Sequence, residues 1–539
     1  MNTNFDYVIV GAGSAGCVLA NRLSENGKHS VVVIEAGGSD KRFWIQTPIG
    51  YGKIFYNSDV NWKYQAEPCP GINERTSYWP RGKVIGGSSS INAMVYVRGQ
   101  HQDYDDWRDL GNDQWGWDQV LPYFKKSETN SNGGNQWRGD SGPLYVNDPS
   151  KNYHPLCQTF IEAAQQYGIP YNPDFNGETQ EGAGTYQITT KNGFRMSAAR
   201  AYLRPALKRK NCTLISHAHV TRICFDGQQA TGIEYKQGNQ IKSVKANIEV
   251  IVSAGAINSP QLLQLSGLGP APLLGEHQVA ILADLPHVGQ NMQEHLGYTH
   301  YYRSKVPTLN NELSTWWGKL KVGAQYILTR KGILSLSVNQ AGGFFRSSPQ
   351  RTKPNLQMYF AAITYTSSPK GTRPLMRPDP WPGFLNGIGQ LRPTSIGEVG
   401  IVSNDPFTYP RITPNYLSTE EDVQELLEGA KYIRAIAQTP ALKEIIDSEM
   451  TPGINVASDE ELIQDIRNRS DTIFHPTSTC RMGRSAADSV VDQRLRVHRV
   501  EKLRVVDASV FPTITSGNTN GPTIMVAEKA ADFIIQDAR

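Results

Sequence analysis

The sequence predicts an α/β fold, α+β overall: a parallel-sheet half beside a second half built on an antiparallel sheet. Three observations predict it. An apolar run meets a glycine-punctuated turn at the N-terminus, at 5–16. A second strand–turn–helix pattern recurs far downstream, at 248–269. Residues 300–460 differ from both, being rich in aromatics, prolines and strand-like segments that alternate with turns.

The first element is the apolar run Phe5 to Val10, followed by Gly11-Ala12-Gly13-Ser14-Ala15-Gly16 and a helical pattern from Cys17 to Leu23. In such a G-x-G-x-x-G turn the first glycine makes the sharp turn. The second lets backbone approach a pyrophosphate, and the third lets helix pack on strand. Amides at the helix start then face the phosphates. The next run, Val31 to Ile34, ends at Glu35. A carboxylate about twenty residues past the turn falls where a ribose hydroxyl is held. The unit is Rossmann-like and expected to bind a dinucleotide; a bare βα turn is the alternative.

Later elements follow in order. Pro80 to Asn92 is a loop of small residues whose amides have room to face an anionic or planar ligand. A plain flexible loop is the alternative. Thr213 to Val220 reads as one alternating strand, with a hairpin pattern around Gly232 and Gly238. Ile248 to Ser253 reads as a buried strand. It leads to a helix with Ser259 as cap, Pro260 in first position and Gly267 as its end. The 300–460 region, with Trp316-Trp317, Tyr359-Phe360 and the proline run 374–382, is expected to cover a cofactor and shape a pocket. A helix is expected over Thr419–Gln438, capped by Ser418 or Thr419, with Glu420 and Glu421 in its first turn and a solvated charged face. The C-terminal block carries Phe474-His475-Pro476, Val506-Asp507-Ala508 and Gly517-Asn518-Thr519-Asn520, then a closing helix Ile524–Gln536. The nucleotide features define a discontinuous domain over 1–150, 195–300 and 460–539, with a substrate-binding domain over 151–194 and 301–459.

Composition excludes several classes. The 539 residues are 19% charged with net charge +4. No long Lys/Arg run points to nucleic acid, and Arg204 to Lys210 reads as a solvated helix end. None of the six cysteines forms a C-x-x-C pair, so no metal or redox-disulfide centre is expected. Sparse cysteines suggest a reducing compartment. No stretch approaches the roughly eighteen apolar residues of a membrane span, and Met1 to Asn4 lacks a basic start. A cytoplasmic protein is expected, with peripheral membrane contact left open.

Two longer motifs now add up. They are Gly82-Lys83-Val84-Ile85-Gly86-Gly87-Ser88-Ser89-Ser90-Ile91-Asn92, and Gly255-Ala256-Ile257-Asn258-Ser259-Pro260 through Ser266-Gly267-Leu268-Gly269. With the N-terminal turn, His475-Pro476 and the Asn518 segment, the chain resembles, end to end, the glucose–methanol–choline oxidoreductase family of FAD-dependent alcohol oxidases and dehydrogenases. The resemblance implies FAD, with adenosine contacts at Gly11, Gly13, Gly16, Glu35 and Val220. It implies flavin contacts at Arg81, Val84, Gly86, Gly87, Ser88, Asn92, Ala93 and Val95, and at Asp507, Ala508 and Asn518. Ser14, Ala15, Ala36, Ala254 and Thr519 are counted with them. Some members attach flavin to a His in the Gly-Gly-Ser loop; here that position is Ile91, so non-covalent FAD is expected.

Alcohol oxidation by flavin needs loss of the hydroxyl proton and hydride transfer from carbon to flavin N5. A neutral imidazole suits the first task. His475 matches the family's catalytic His, and Asn518 its second position, where an amide binds oxygen without titrating. A purely turn-forming Asn518, or Asn520 as the true partner, are the alternatives. His295, Tyr359 and Phe474 are expected at the substrate pocket. Gly297 stands where choline oxidases carry a Glu for the cationic head group, which argues against choline. Trp316, Trp317 and Trp381 are expected as pocket walls or core, and Cys480 as a buried spectator. The expected activity is oxidation of a primary, uncharged alcohol to an aldehyde with His475 as base. The motif texture leans to a dehydrogenase using a quinone-like acceptor. An O2-using oxidase, a non-redox hydroxynitrile lyase and a non-catalytic flavin-bound protein are the rivals.

Overall fold

The computed structural model of the chain describes residues 3–365 and 378–538, so 374–377 of the proline run lie outside the described residues. The strand Asn4–Val10 has parallel partners on both sides, Val31–Ile34 and Gln240–Val252. Parallel strands covered on both faces read as continuous apolar runs. Val8, Ile9 and Val31 to Ile34 are all buried. Cys212–Ile215 adds beyond Val31–Ile34, and Leu503–Val505 pairs with the end of Gln240–Val252. Both ends of the chain thus contribute to one sheet.

The expected strand 213–220 is two strands, Cys212–Ile215 and Ala218–Asp226. His217 adopts φ 53° between them, which redirects the chain from the parallel sheet into an antiparallel meander. The meander turns at Gly227 and Gly238, both at positive φ, while Gly232 lies within the strand Gln229–Gln237.

The second sheet is antiparallel and runs Ile446–Thr451, Leu296–Ser304, Gly383–Gln390, Leu356–Ala361, Ala341–Phe345, Gly182–Thr185. Leu296–Ser304 straddles position 300, and Asp471–Thr472 from the C-terminal block pairs with its start. The helices Glu420–Ala437 and Leu156–Gln166 pack on this sheet. Thr419 caps the first of them by accepting from the Asp422 amide. Its charged face is not wholly solvated. Asp422 is buried and accepts from the Thr394 and Ser395 amides, and buried Glu425 accepts from Asn355 and Gln390.

Two helices begin earlier than the sequence indicates. Gly255–Leu265 starts four residues before Ser259, because its cap comes from far away in sequence. Asp507 Oδ2 accepts from the Gly255 amide at 2.8 Å and from the Ser259 hydroxyl at 2.6 Å. Pro260 then sits inside the helix, where it cannot donate to the Ala256 carbonyl. Thr479 Oγ1 donates to that carbonyl instead, at 2.7 Å. Gly267 follows the helix at φ +84°, as expected of a terminator. The closing helix is Asn520–Asp537, which brings its N-terminus to the cavity described next. Among the described residues no helix is long and apolar enough to cross a membrane, and no cluster of side chains could hold a metal ion.

Candidate active site

One cavity of about 770 Å³ separates the two sheets. Its nucleotide end is lined by Gly11, Gly13, Ser14, Ala15, Glu35, Ala36, Val220 and Ala254. The three glycines of the turn do three different things. A Cβ on Gly11 would meet the Ser253 carbonyl at 2.5 Å, and one on Gly16 would meet the Gly11 carbonyl at 1.9 Å. Around Gly13 the nearest atom would be 3.9 Å away, so this backbone faces open space. Gly16 itself does not line the cavity; it sets the helix against the turn. Glu35 also has a structural task that its position in the motif does not reveal. Its oxygens accept from the Ala12 amide at 2.8 Å and the Gly37 amide at 2.7 Å, bracing the turn. Burial pushes its carboxyl up to about 7 against these donors.

The middle of the cavity is formed by Arg81, Gly87, Ser88, Ile91, Asn92, Ala93 and Val95. Val84 and Gly86, expected as cofactor contacts, lie off it. Val84 is fully buried among Ile45, Ile54 and Val60, and the Gly86 amide donates to the Ala12 carbonyl at 2.7 Å. They hold the two glycine loops together: a Cβ on Gly87 would come within 2.7 Å of Gly13 Cα.

At the far end Phe474, His475, Asp507, Ala508, Asn518, Thr519 and Tyr359 line the cavity. His475 Nε2 lies 3.1 Å from Asn518 Nδ2, and His475 Nδ1 lies 3.0 Å from His295 Nδ1. His295 lies behind His475 rather than on the cavity wall, fully buried, with its Nε2 3.0 Å from the Leu391 carbonyl. That carbonyl can only accept, so His295 Nε2 carries the proton and its Nδ1 is an acceptor. His475 Nδ1 must then donate, which leaves the lone pair on His475 Nε2. The Asn518 side chain agrees. Its Oδ1 accepts from Gln357 Nε2 at 3.4 Å, which turns its N–H toward that lone pair. Burial, with His295 and Arg81 nearby, holds the His475 imidazole well below its ordinary range, and burial lowers His295 to about 4. Both rings are neutral at pH 7.

Backbone contacts fix the ring. Phe474 adopts φ 73°, its carbonyl accepts from Arg81 Nη2 at 2.7 Å, and the His475 amide donates to Glu294 Oε1 at 2.8 Å. Sequence reasoning missed Glu294, Gln357 and the Leu391 carbonyl. Only the adjacency of Glu294 and His295 hinted at any of them. Asn518, not Asn520, stands beside His475; the Asn520 Oδ1 accepts from the Ser14 hydroxyl at 2.7 Å. Trp316, Trp317 and Trp381 do not line the cavity; Trp316 and Trp317 are 63% and 64% exposed. Cys480 is fully buried and its thiol is pushed well up, a neutral spectator.

The cavity suits a long dinucleotide. Two glycine loops give it a backbone floor, and the amides of the helix Ser14–Ser24 open onto it. Buried Ser253 Oγ and Arg81 Nε on its wall have no partner among the described residues. A nucleotide-type turn and a neutral, oriented imidazole on one cavity define a redox enzyme that works with a dinucleotide cofactor.

Comparison with known proteins agrees. The GMC oxidoreductase family models match residues 5–297 and 393–527, and the chain belongs to this family of FAD-dependent enzymes acting on CH–OH donors. It is 44% identical to an alcohol dehydrogenase (acceptor) of Pseudomonas putida, over 99% of this chain and 96% of that one. It is 43% identical to an oxygen-dependent choline dehydrogenase of Vibrio vulnificus (strain YJ016), over 99% and 95%. Among solved structures, pyridoxine 4-oxidase from Mesorbium loti superposes with TM-score 0.87 at 30% identity, covering 98% of each chain. Formate oxidase superposes with TM-score 0.92 at 26% identity, covering 99% of each.

Proposed function

We propose that this enzyme oxidises a primary, uncharged alcohol to its aldehyde, with His475 as the base and non-covalently bound FAD. The observation that carries the proposal is the proton order Leu391 carbonyl, His295, His475, which presents a lone pair on Nε2 to the cavity. FAD would be held by the Gly11–Gly16 turn, Glu35, the 81–95 loop and the 507–508 segment, and supplies the hydride acceptor at its N5. His475 Nε2 takes the hydroxyl proton. Asn518 Nδ2 is then free to donate to the substrate oxygen and fix its position. The second ring shields His475 from water and keeps its proton on Nδ1, so the accepting nitrogen is always the one facing substrate. Ile91 lines the cavity in the loop where some members attach flavin, and it has no atom to make that bond.

Gly297 brings no carboxylate to the substrate end. Its cross-strand partner Asp471, which also lines the cavity, is engaged by the Ser77 hydroxyl and the Thr472 amide, which supports a neutral alcohol over choline. The relatives divide on the acceptor, one being named for an acceptor in general and one for oxygen; the quinone-like acceptor rests on the motif texture of the sequence. An anaerobic panel of hexanol, benzyl alcohol and choline, scored by loss of the flavin absorbance band, tests the substrate class. The same panel with air or a water-soluble quinone tests the acceptor. Bleaching by choline alone would overturn the neutral-alcohol reading, and fast reoxidation by air with none by quinone would overturn the acceptor.

A further inference from the structure

Five large, exposed apolar residues are gathered on one helix. In the helix Trp316–Thr329, Trp316, Trp317, Leu320, Ile327 and Leu328 are 63, 64, 56, 58 and 82% exposed. At one hundred degrees per residue they fall, with Ala324, on an arc of about 120°. The opposite face buries Val322 and Tyr326 against the body of the protein. The usual arrangement is inverted only in part, because the helix has two apolar faces and only the inner one has a partner. Phe43, on a neighbouring short helix, packs on the inner side: its ring meets Tyr326 edge-on at 6.5 Å. Trp316 and Trp317 stack on each other at 3.8 Å.

Charge frames this face with one sign. Lys319 and Lys321 flank the arc and Lys331 follows it, all exposed and none in an ion pair among the described residues. Residues 316–331 contain no acid. A second copy docked across a two-fold axis would set these lysines against themselves, which disfavours self-association. Tryptophans beside aliphatic side chains, bordered by lysines, match the depth profile of an anionic bilayer surface: hydrocarbon, headgroup boundary, phosphate.

We propose that the outer face of Trp316–Thr329 docks on the surface of an anionic phospholipid membrane. The helix packs on Ile333–Ser335, which leads directly to Val338 and Asn339 on the cavity wall. Docking therefore holds the substrate end of the cavity close to lipid, where long-chain alcohols and quinones concentrate. This consequence rests on the proposed function; docking itself does not.

Vesicle cosedimentation of the FAD-loaded protein tests the proposal. The protein is expected to pellet with phosphatidylcholine vesicles containing phosphatidylglycerol, and at least tenfold less with phosphatidylcholine alone. The exposed double variant Trp317→Glu/Leu328→Glu is expected to lose at least tenfold in binding. Lys319→Glu/Lys321→Glu is expected to lose only the preference for phosphatidylglycerol. Flavin reduction by a water-soluble alcohol should be unchanged in both, which shows that they fold. A wild-type protein that stays in the supernatant with both vesicles overturns the proposal, as does equal pelleting of Trp317→Glu/Leu328→Glu. A dimer in sedimentation velocity that this variant dissolves also overturns it, assigning the face to a second copy.

Discussion

The glycine turn and the catalytic corner share one cavity but are assembled in opposite ways. The turn's own parts lie within one stretch, Gly11 to Gly37, which Ser253 and the Gly86-Gly87 loop back up. The corner draws on Arg81, Glu294-His295, Gln357, Leu391, Phe474-His475 and Asn518, no two segments adjacent in sequence. The turn is a backbone device in which side chains are mostly excluded. The corner is a side-chain device in which one proton order must be held across three hydrogen bonds. A lesion in the first should therefore act on cofactor retention and folding, and one in the second on rate.

The largest expected effect separates the two. His475→Ala removes the proposed base and leaves the nucleotide end intact. The rate of anaerobic flavin reduction should fall about 10³-fold, roughly 4 kcal/mol in the barrier, while the yellow colour of the purified protein is retained. Unchanged reduction would refute the base assignment.

Gly16→Ala is the converse lesion. Its Cβ would lie 1.9 Å from the Gly11 carbonyl, a backbone atom that cannot rotate away. Forcing the helix off the strand should cost on the order of 1–3 kcal/mol. The readouts are a lower melting temperature and FAD lost on gel filtration, and the fraction that keeps FAD should reduce it at a near-normal rate. A fully loaded but slow Gly16→Ala would break the comparison.

His295→Phe probes the proton order alone. Without an acceptor for Nδ1–H, the His475 proton is free to move to Nε2, and flavin reduction should slow by about tenfold. In the wild type the rate should stay flat from pH 8 to well below 6.5, because His475 remains neutral there. Loss of the neighbouring ring removes one cause of that depression, so the acid limb should move toward 6.5. The stability of the protein carries the same signature. His295 titrates near 4 in the folded state and about 6.5 unfolded, so the unfolded chain binds more protons between those values. Stability therefore falls as pH drops through that interval, and His295→Phe should flatten the slope. Glu294, raised to about 7, contributes the opposite slope between about 4.5 and 7.

The same contrast explains what is legible in the sequence. The turn can be read because its function lies in spacing, and spacing survives in one dimension. The meeting of His475 and Asn518 on the cavity can be anticipated because each sits in a recognisable local pattern. Glu294, Gln357 and the Leu391 carbonyl cannot, since their roles depend on pairings set by sheet register and loop path. The start of the helix at Gly255 is hidden for a related reason: its cap is Asp507, on another part of the chain. Trp316 and Trp317 mislead because an apolar residue type does not say which face of a helix it occupies.

The smallest expected effect lies where the corner shades into the pocket. The Tyr359 hydroxyl donates to Gln357 Oε1 at 2.7 Å, and Gln357 Nε2 donates both to Asn518 and to the Tyr186 hydroxyl, at 3.2 Å. Tyr359 therefore bears on the proposed catalytic amide of Asn518 both directly and through Gln357. Tyr359→Phe keeps the ring that lines the cavity and deletes one of three bonds on the Gln357 side chain. A single neutral hydrogen bond is worth about 0.5–1.5 kcal/mol, or roughly a two- to tenfold slower reduction. The side chain of Gln357 retains two tethers, so the lower end is expected, with KM for a small alcohol little changed. A loss as large as that of His475→Ala would mean that Tyr359 touches the reacting oxygen itself, and a phenol would then take over the role of the Asn518 amide in the corner.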